Sequence, residues 1–136
     1  MSHARTQIRA AAVARLTGLA TTAGRVHASR MRPGDALPCL LISTNDEDIA
    51  PGSIGRLYER EVLLIVRGFA KANDALDDVL DQIALEVETA MAADHRAALD
   101  KIETDFDDTL QQPVGSIALT YRVTYFTAAD TSATML

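Results

Sequence analysis

The residues able to do acid–base or metal chemistry are few and scattered. The densest carboxylates are Glu103, Asp105, Asp107 and Asp108. Four acids this close could imitate a magnesium site. Their spacing points elsewhere. Glu103, Asp105 and Asp107 are alternate residues, so they share one face of an extended strand. No general base or basic clamp accompanies them in the sequence. They read as a solvated or interface-lining face, with loose divalent bridging between subunits as the lesser alternative. His3, His27 and His95 each lack a second histidine at ligand spacing. Cys39 is the only cysteine, which excludes an internal disulfide and a cysteine pair for zinc. It lies in the apolar run Pro38-Cys39-Leu40-Leu41-Ile42 and reads as a small core residue. Pro51-Gly52-Ser53-Ile54-Gly55 holds two glycines but opens a strand, so it lacks the helix N-terminus that would hold a phosphate. The sequence contains no GxSxG, Walker or GxGxxG pattern. These observations predict a protein that is not an enzyme and uses no cofactor or metal.

Elements must position whatever surfaces remain, and the composition bounds them. At 136 residues and 48% hydrophobic, the chain is expected to form one domain with a real core. Only 4% is aromatic and there is no Trp, so the core must be built from Ala, Leu, Ile and Val. Base-stacking proteins usually carry more rings. No apolar run approaches the roughly 18–20 residues that span a membrane, so no membrane partner is expected. The acid-free N-terminus faintly imitates a transit peptide, but nothing after it reads as a cleavage region.

Periodicity divides the chain into seven elements. Ile8, Ala12, Leu16 and Leu19 recur at helical spacing over residues 4–19, and Gly18 and Thr21-Thr22-Ala23-Gly24 end that helix. A short strand over 25–30 is followed by the turn signature Pro33-Gly34-Asp35. Residues 38–44 read as a buried strand, and 45–55 as a long acidic loop. Over 56–70, Tyr58, Arg60, Val62, Leu64 and Val66 alternate with Leu57, Glu59, Glu61, Leu63 and Ile65, which predicts the strongest strand, one that starts at an exposed edge or hairpin and finishes in the core. A second helix over 74–92 carries the stripe Leu76, Val79, Leu80, Ile83, Val87, Ala90 and Met91, with Asp74 as its expected N-cap. Its acids Asp77, Asp78, Asp81, Glu86 and Glu88 read as its wet side. Residues 100–108 form a half-exposed strand with Ile102, Thr104 and Phe106 inward. In a last strand over 115–127, Ile117, Leu119, Tyr121, Val123 and Tyr125 line one face. The tail 128–136 reads as loose. The order α-β-β-β-α-β-β fits an α/β (α+β) domain with a mostly antiparallel or mixed sheet of about five strands and two helices packed on it.

Charge is distributed unevenly. Residues 1–32 contain six arginines (Arg5, Arg9, Arg15, Arg25, Arg30 and Arg32) and no acid. Residues 33–136 hold the other 7 basic residues and all 19 acids, a net −12. Such asymmetry can mark a nucleic-acid arm. Here the basic residues are spread along a helix and a strand, which favours complementary surfaces on one molecule. Head-to-tail contact between them makes a ring if the rotation closes, and a filament if it does not.

Three stretches carry a family resemblance. The opening HARTQIRAAAVARLTGLATTAGRVHASR, the central YEREVLLIVRGFAKANDALDDVLDQIALEVETAMAAD and the closing PVGSIALTYRVTYFTAAD together span nearly the whole chain. They resemble the tail terminator proteins of long, non-contractile phage tails, the minor tail protein U type, whose relatives occur in phages, prophages and gene transfer particles. The resemblance implies a virion protein made in the host cytoplasm. It implies a homo-oligomeric ring, usually a hexamer, at the head-proximal end of the tail. Such a ring caps the tail tube, ends its polymerisation, joins the head-completion protein of the neck and lets DNA pass through its bore. A head-completion or connector neck protein is the alternative within that class. A nucleic-acid-binding protein using the Arg-rich N-terminus is the alternative outside it.

Under that implied role the residues sort into three groups. Arg5, Arg9, Arg15, Arg25 and Arg30 are expected at the subunit interface. Asp46, Glu47, Asp48, Glu103, Asp105 and Asp107 are expected to line the lumen, where carboxylates repel phosphate. Asn45, Ile49, Pro51, Gly52, Ser53, Ile54 and Gly55 are expected to form a docking loop for tube or neck.

Overall fold

In the computed structural model, described for residues 2–28, 37–51, 56–71, 75–107 and 114–136, one five-stranded sheet carries both helices on a single face. The elements are α1 (Ala4–Leu16), β1 (Val26–His27), β2 (Cys39–Pro51), β3 (Leu57–Lys71), α2 (Leu76–Met91), β4 (Ala97–Asp107) and β5 (Val114–Ala128). The strand order is β1-β2-β3-β5-β4. β1 pairs with β2 in parallel, and the other three pairings are antiparallel. The α+β architecture and its element order match the expectation from periodicity.

The core lies between the sheet and the helices. Ala4, Ile8, Ala12 and Leu16 of α1 meet Leu40 and Ile42 of β2, while Leu80, Ile83, Val87 and Met91 of α2 meet Val62, Leu64 and Val66 of β3 and the odd-numbered face of β5. Each stripe follows the period of its element. α2 can lie close to the sheet because β3 and β5 carry glycine beneath it. A Cβ on Gly68 would stand 2.7 Å from Ile83 Cγ2, and one on Gly115 would stand 3.0 Å from Leu76.

Both helix starts depart from simple capping rules. The N-cap of α1 is His3, whose Nδ1 accepts from the Arg5 backbone N–H at 3.1 Å. The N-cap of α2 is Ala75, with no side-chain cap bond; the expected cap, Asp74, lies outside the described residues. α1 stops three residues short of its expected end. Thr17 turns extended, and Gly18 takes a φ of +95°, which a residue without Cβ adopts at no steric cost.

Three expectations need correction. Residues 45–51 are not loop: β2 continues through them, paired with Tyr58–Val62 side by side as far as Pro51↔Tyr58. Polar residues are poor strand formers alone, but a long neighbouring strand overrides that preference. The inward side of β4 is not covered: residues 98–106 are exposed on both faces, because α2 lies over β3 and β5 and β4 lies at the edge beyond it. The C-terminal tail is not loose. Ser132 O accepts from the Ala4 N–H at 2.9 Å, and the Leu136 N–H donates to Phe126 O at 2.9 Å, on the stretch of β5 that β4 leaves unpaired. Those tail contacts satisfy backbone groups of a helix start and a strand edge that would otherwise lack partners. The expected strand at 25–30 is described only as Val26–His27. The turn Pro33-Gly34-Asp35 lies outside the described residues.

Candidate functional site

A one-residue bulge in β2 decides where its acids point. Between Thr44 and Glu47 the register against β3 slips by one residue. Leu40, Ile42 and Thr44 face the helices before the bulge; Glu47 and Ile49 do so after it. Glu47 therefore opposes Val62 on the core side, while Asp48 opposes Glu61 on the helix-free side.

Glu47 consequently lies apart from the open acidic face on which it was expected. Its carboxylate is only 6% exposed and pairs with Arg60, itself 8% exposed, at 2.9 Å. Its other oxygen accepts from the Tyr125 hydroxyl. Arg60 also donates Nε–H to Thr127 Oγ1 at 2.9 Å and lies 5.5 Å from the Tyr58 ring centre. The node joins β2, β3 and β5 through buried, mutually satisfied polar groups. Burial first, and the Glu47 carboxylate beside it second, push the Tyr125 phenol up to about 12. The sequence held one unused signal for this node. Arg60 sits in phase with Val62, Leu64 and Val66, and an arginine on a buried face requires an acid nearby.

The N-terminal arginines are mostly committed within the chain. Arg5 donates to Asn45 O at 2.6 Å and Arg9 to Thr44 Oγ1 at 2.6 Å, so both fasten α1 to the β2 bulge. Arg25 donates to Pro38 O at 2.7 Å and Thr21 O at 3.2 Å. All of these acceptors are neutral, and no salt bridge compensates the three guanidinium charges among the described residues. Arg15 is exposed and forms no ion pair among the described residues. Arg30 lies outside the described residues.

The helix-free face of the sheet gathers much of the acid. The register places Asp48, Glu61 and Glu59 there, along with Glu103 opposite Ala118 and Asp105 opposite Ser116. In the sequence Glu59 and Glu61 read only as the polar start of a strand that is apolar further on. Arg122, whose pKa is raised by its bonds to Glu61 and Asp100, holds Glu61 of this group and Asp100 of β4. Small Ser116 and Ala118 floor a shallow depression of about 490 Å³ between Arg67 and Phe69 on one side and Glu103 and Asp105 on the other. Asp46 is exposed at the bulge. Asp107 lies in β4 opposite Val114. Of the expected docking loop, Asn45, Ile49 and Pro51 belong to β2, with Ile49 exposed; Gly52, Ser53, Ile54 and Gly55 lie outside the described residues.

Two acids of α2 have separate duties. Glu86, expected on the wet side, accepts from the Thr21 backbone N–H at 2.8 Å, Thr21 Oγ1 at 2.6 Å and Gln82 Nε2 at 2.9 Å. Partial desolvation pushes its carboxyl up, but these bonds outweigh that and hold it below the usual value. Glu88 faces the other way. With Met91, Ala92, Ala97, Leu99 and Tyr121 it lines a notch of about 180 Å³ between α2 and β4. The buried Tyr121 hydroxyl beside it has no hydrogen-bond partner among the described residues. Burial, and then the Glu88 charge, push that phenol up to about 12.

Among the described residues, no three His, Cys, Asp or Glu side chains converge to hold a metal ion. Among the same residues, no helix is long and apolar enough to cross a membrane. What the described residues offer is a sheet with an acidic open face, a basic edge at α1 and β1 whose arginines form no salt bridge among them, and an exposed apolar edge at β4. The chain matches no protein-family model and no curated protein sequence.

Proposed function

We propose that this chain is a ring-forming structural protein of a phage-type tail, a tail terminator. Six copies close head to tail on the finished tube, stop its growth and present a surface to the neck. One observation carries this reading. The basic α1–β1 edge and the β4 edge lie at opposite sides of one sheet, and the open face between them bears Asp48, Glu59, Glu61, Glu103 and Asp105. Opposite edges that differ in charge favour heterologous contact, and heterologous contact closes rings. With the helices outward, the acidic face lines the bore. Such a lumen lets DNA pass because it repels phosphate.

The test is to add the purified chain to tail tube protein while it polymerises. Tubes that stop lengthening, with a ring at one end in electron micrographs, support the reading. Tubes that grow unchanged, or binding to a portal in place of the tube, sink it. Retention of duplex DNA at low salt counts equally against a repelling bore.

A further inference from the structure

We propose that the trough between α2 and β4 is the receptor for helix α1 of a second copy of this chain. This rests on the ring reading and assigns the surface that closes it.

The trough is apolar where no element covers it. A bulge between Leu99 and Lys101 keeps Leu99, Ile102 and Phe106 all on the helix side of β4. These three are 40%, 44% and 47% exposed, and Leu85 of α2 is 58% exposed. Leu85, Glu88 and Ala92 recur at helical spacing, so the side of α2 that lines the notch also carries Leu85. Leu99 lines the notch itself, Ile102 and Phe106 continue its apolar side along β4, and Leu85 stands exposed on the flank of α2 that borders it, more apolar surface than the scattered exposure ordinary for a monomer. Other edge strands are protected by charge or cover. Here the charges of β4 point to the opposite face, and the apolar side is left open.

Charge and shape select the occupant. Asp81 and Glu88 rim the trough on α2, are exposed, and form no ion pair among the described residues. The outer face of α1 presents Ala10, Ala11 and Ala14 with Arg15 beside them, all exposed. Small residues let a helix approach closely, and Arg15 reaches the Glu88 carboxylate. α1 lies over β1 and β2, at the far side of the sheet from β4. One copy can therefore give its helix while its own trough receives the next, which is the condition for a closed ring.

A charge swap tests this on the full chain. Asp81→Arg with Glu88→Arg makes the rim basic; Arg15→Glu makes the helix acidic. All three sites are exposed, so folding is checked by circular dichroism and is expected to persist. Each variant alone should need about tenfold more protein, or greater, to assemble than the wild type, read by native mass spectrometry and sedimentation. Mixed in equal amounts, they should reassemble into rings alternating the two. Ile102→Arg should abolish assembly without rescue by either partner. Single variants that assemble like the wild type, a mixture that stays dispersed, or a wild type monomeric at millimolar concentration overturns the proposal. If all variants still cap tubes as the wild type does, this surface is wrong and the terminator reading stands. If the swap behaves as expected but no chain caps tubes, the surface stands and the terminator reading falls.

Discussion

Tyr125 and Glu47, 78 residues apart in sequence, meet on the core side of the sheet through a hydroxyl-to-carboxylate hydrogen bond. The same carboxylate neutralises Arg60. A buried pair is a weak source of net stability, but losing one partner strands the other. Glu47→Ala should therefore cost about 3–5 kcal/mol in urea unfolding, because Arg60 is left charged and buried. Replacing Glu47 and Arg60 together by apolar residues of similar volume should cost much less than the single change. If Glu47→Ala proves neutral, the node carries no buried charge.

The two core tyrosines should respond oppositely to losing a hydroxyl. Tyr125→Phe deletes a bond to a carboxylate and should cost about 1–3 kcal/mol. Tyr121→Phe deletes a buried hydroxyl with no partner among the described residues, and should be neutral or slightly stabilising. Thermal unfolding of the two variants side by side checks the order.

Alkaline pH acts on both phenols. Their folded values stand at about 12, against about 10 in an unfolded chain. A raised folded value favours the protonated, neutral form in the native state. That contribution is complete below about pH 10 and is lost as pH rises toward 12. The double variant Tyr121→Phe/Tyr125→Phe should show a flatter stability profile across that window than the wild type. Equal slopes would mean the phenols ionise freely while folded.

How much of this was legible in the sequence depended on whether the pattern was local. The stripe of α2 and the alternation of β5 are carried by residues that face one layer throughout, so the period alone found them. Residues 45–51 failed because Asn45, Asp46 and Asp48 have low strand preference, and only pairing with β3 makes them strand. Glu47 failed for a further reason: the bulge inverts its side, and a one-residue slip is invisible to composition. The trough failed because β4 alternates like a half-buried strand. Whether its apolar side meets a helix depends on where α2 lies, which no residue of β4 records.

Acid should loosen the turn after α1. The Glu86 carboxyl is held below its usual value by bonds from Thr21 and Gln82. A depressed folded value gives stability that is present above the unfolded value, near 4.3, and is lost as pH falls through the folded one. Glu86→Gln should cost about 1 kcal/mol at neutral pH, at the low end because the group is half exposed. It should also flatten the acid limb of the stability profile. Hydrogen exchange at Thr21, whose amide Glu86 accepts, should accelerate in the variant; an unchanged rate would show that the turn holds without it.

Close approach of α2 to β3 sets the last expectation. An alanine Cβ at position 68 would meet Ile83 Cγ2 at 2.7 Å, inside any normal contact. Ile83 is fully buried on the inner face of α2, so it cannot swing clear without moving the helix. Gly68→Ala should therefore cost about 1–3 kcal/mol by overpacking. Ile83→Ala alone should cost about 2–5 kcal/mol by leaving a cavity. Combined, each change relieves the other's defect, since the new methyl enters the space the isoleucine vacates. The double variant should lose clearly less than the sum of the two singles, a coupling of about 0.5–3 kcal/mol. Because α2 also forms one wall of the trough, Gly68→Ala should weaken assembly as well as folding, and the double variant should recover part of both. Additive losses would show that α2 already has room to shift away from the sheet.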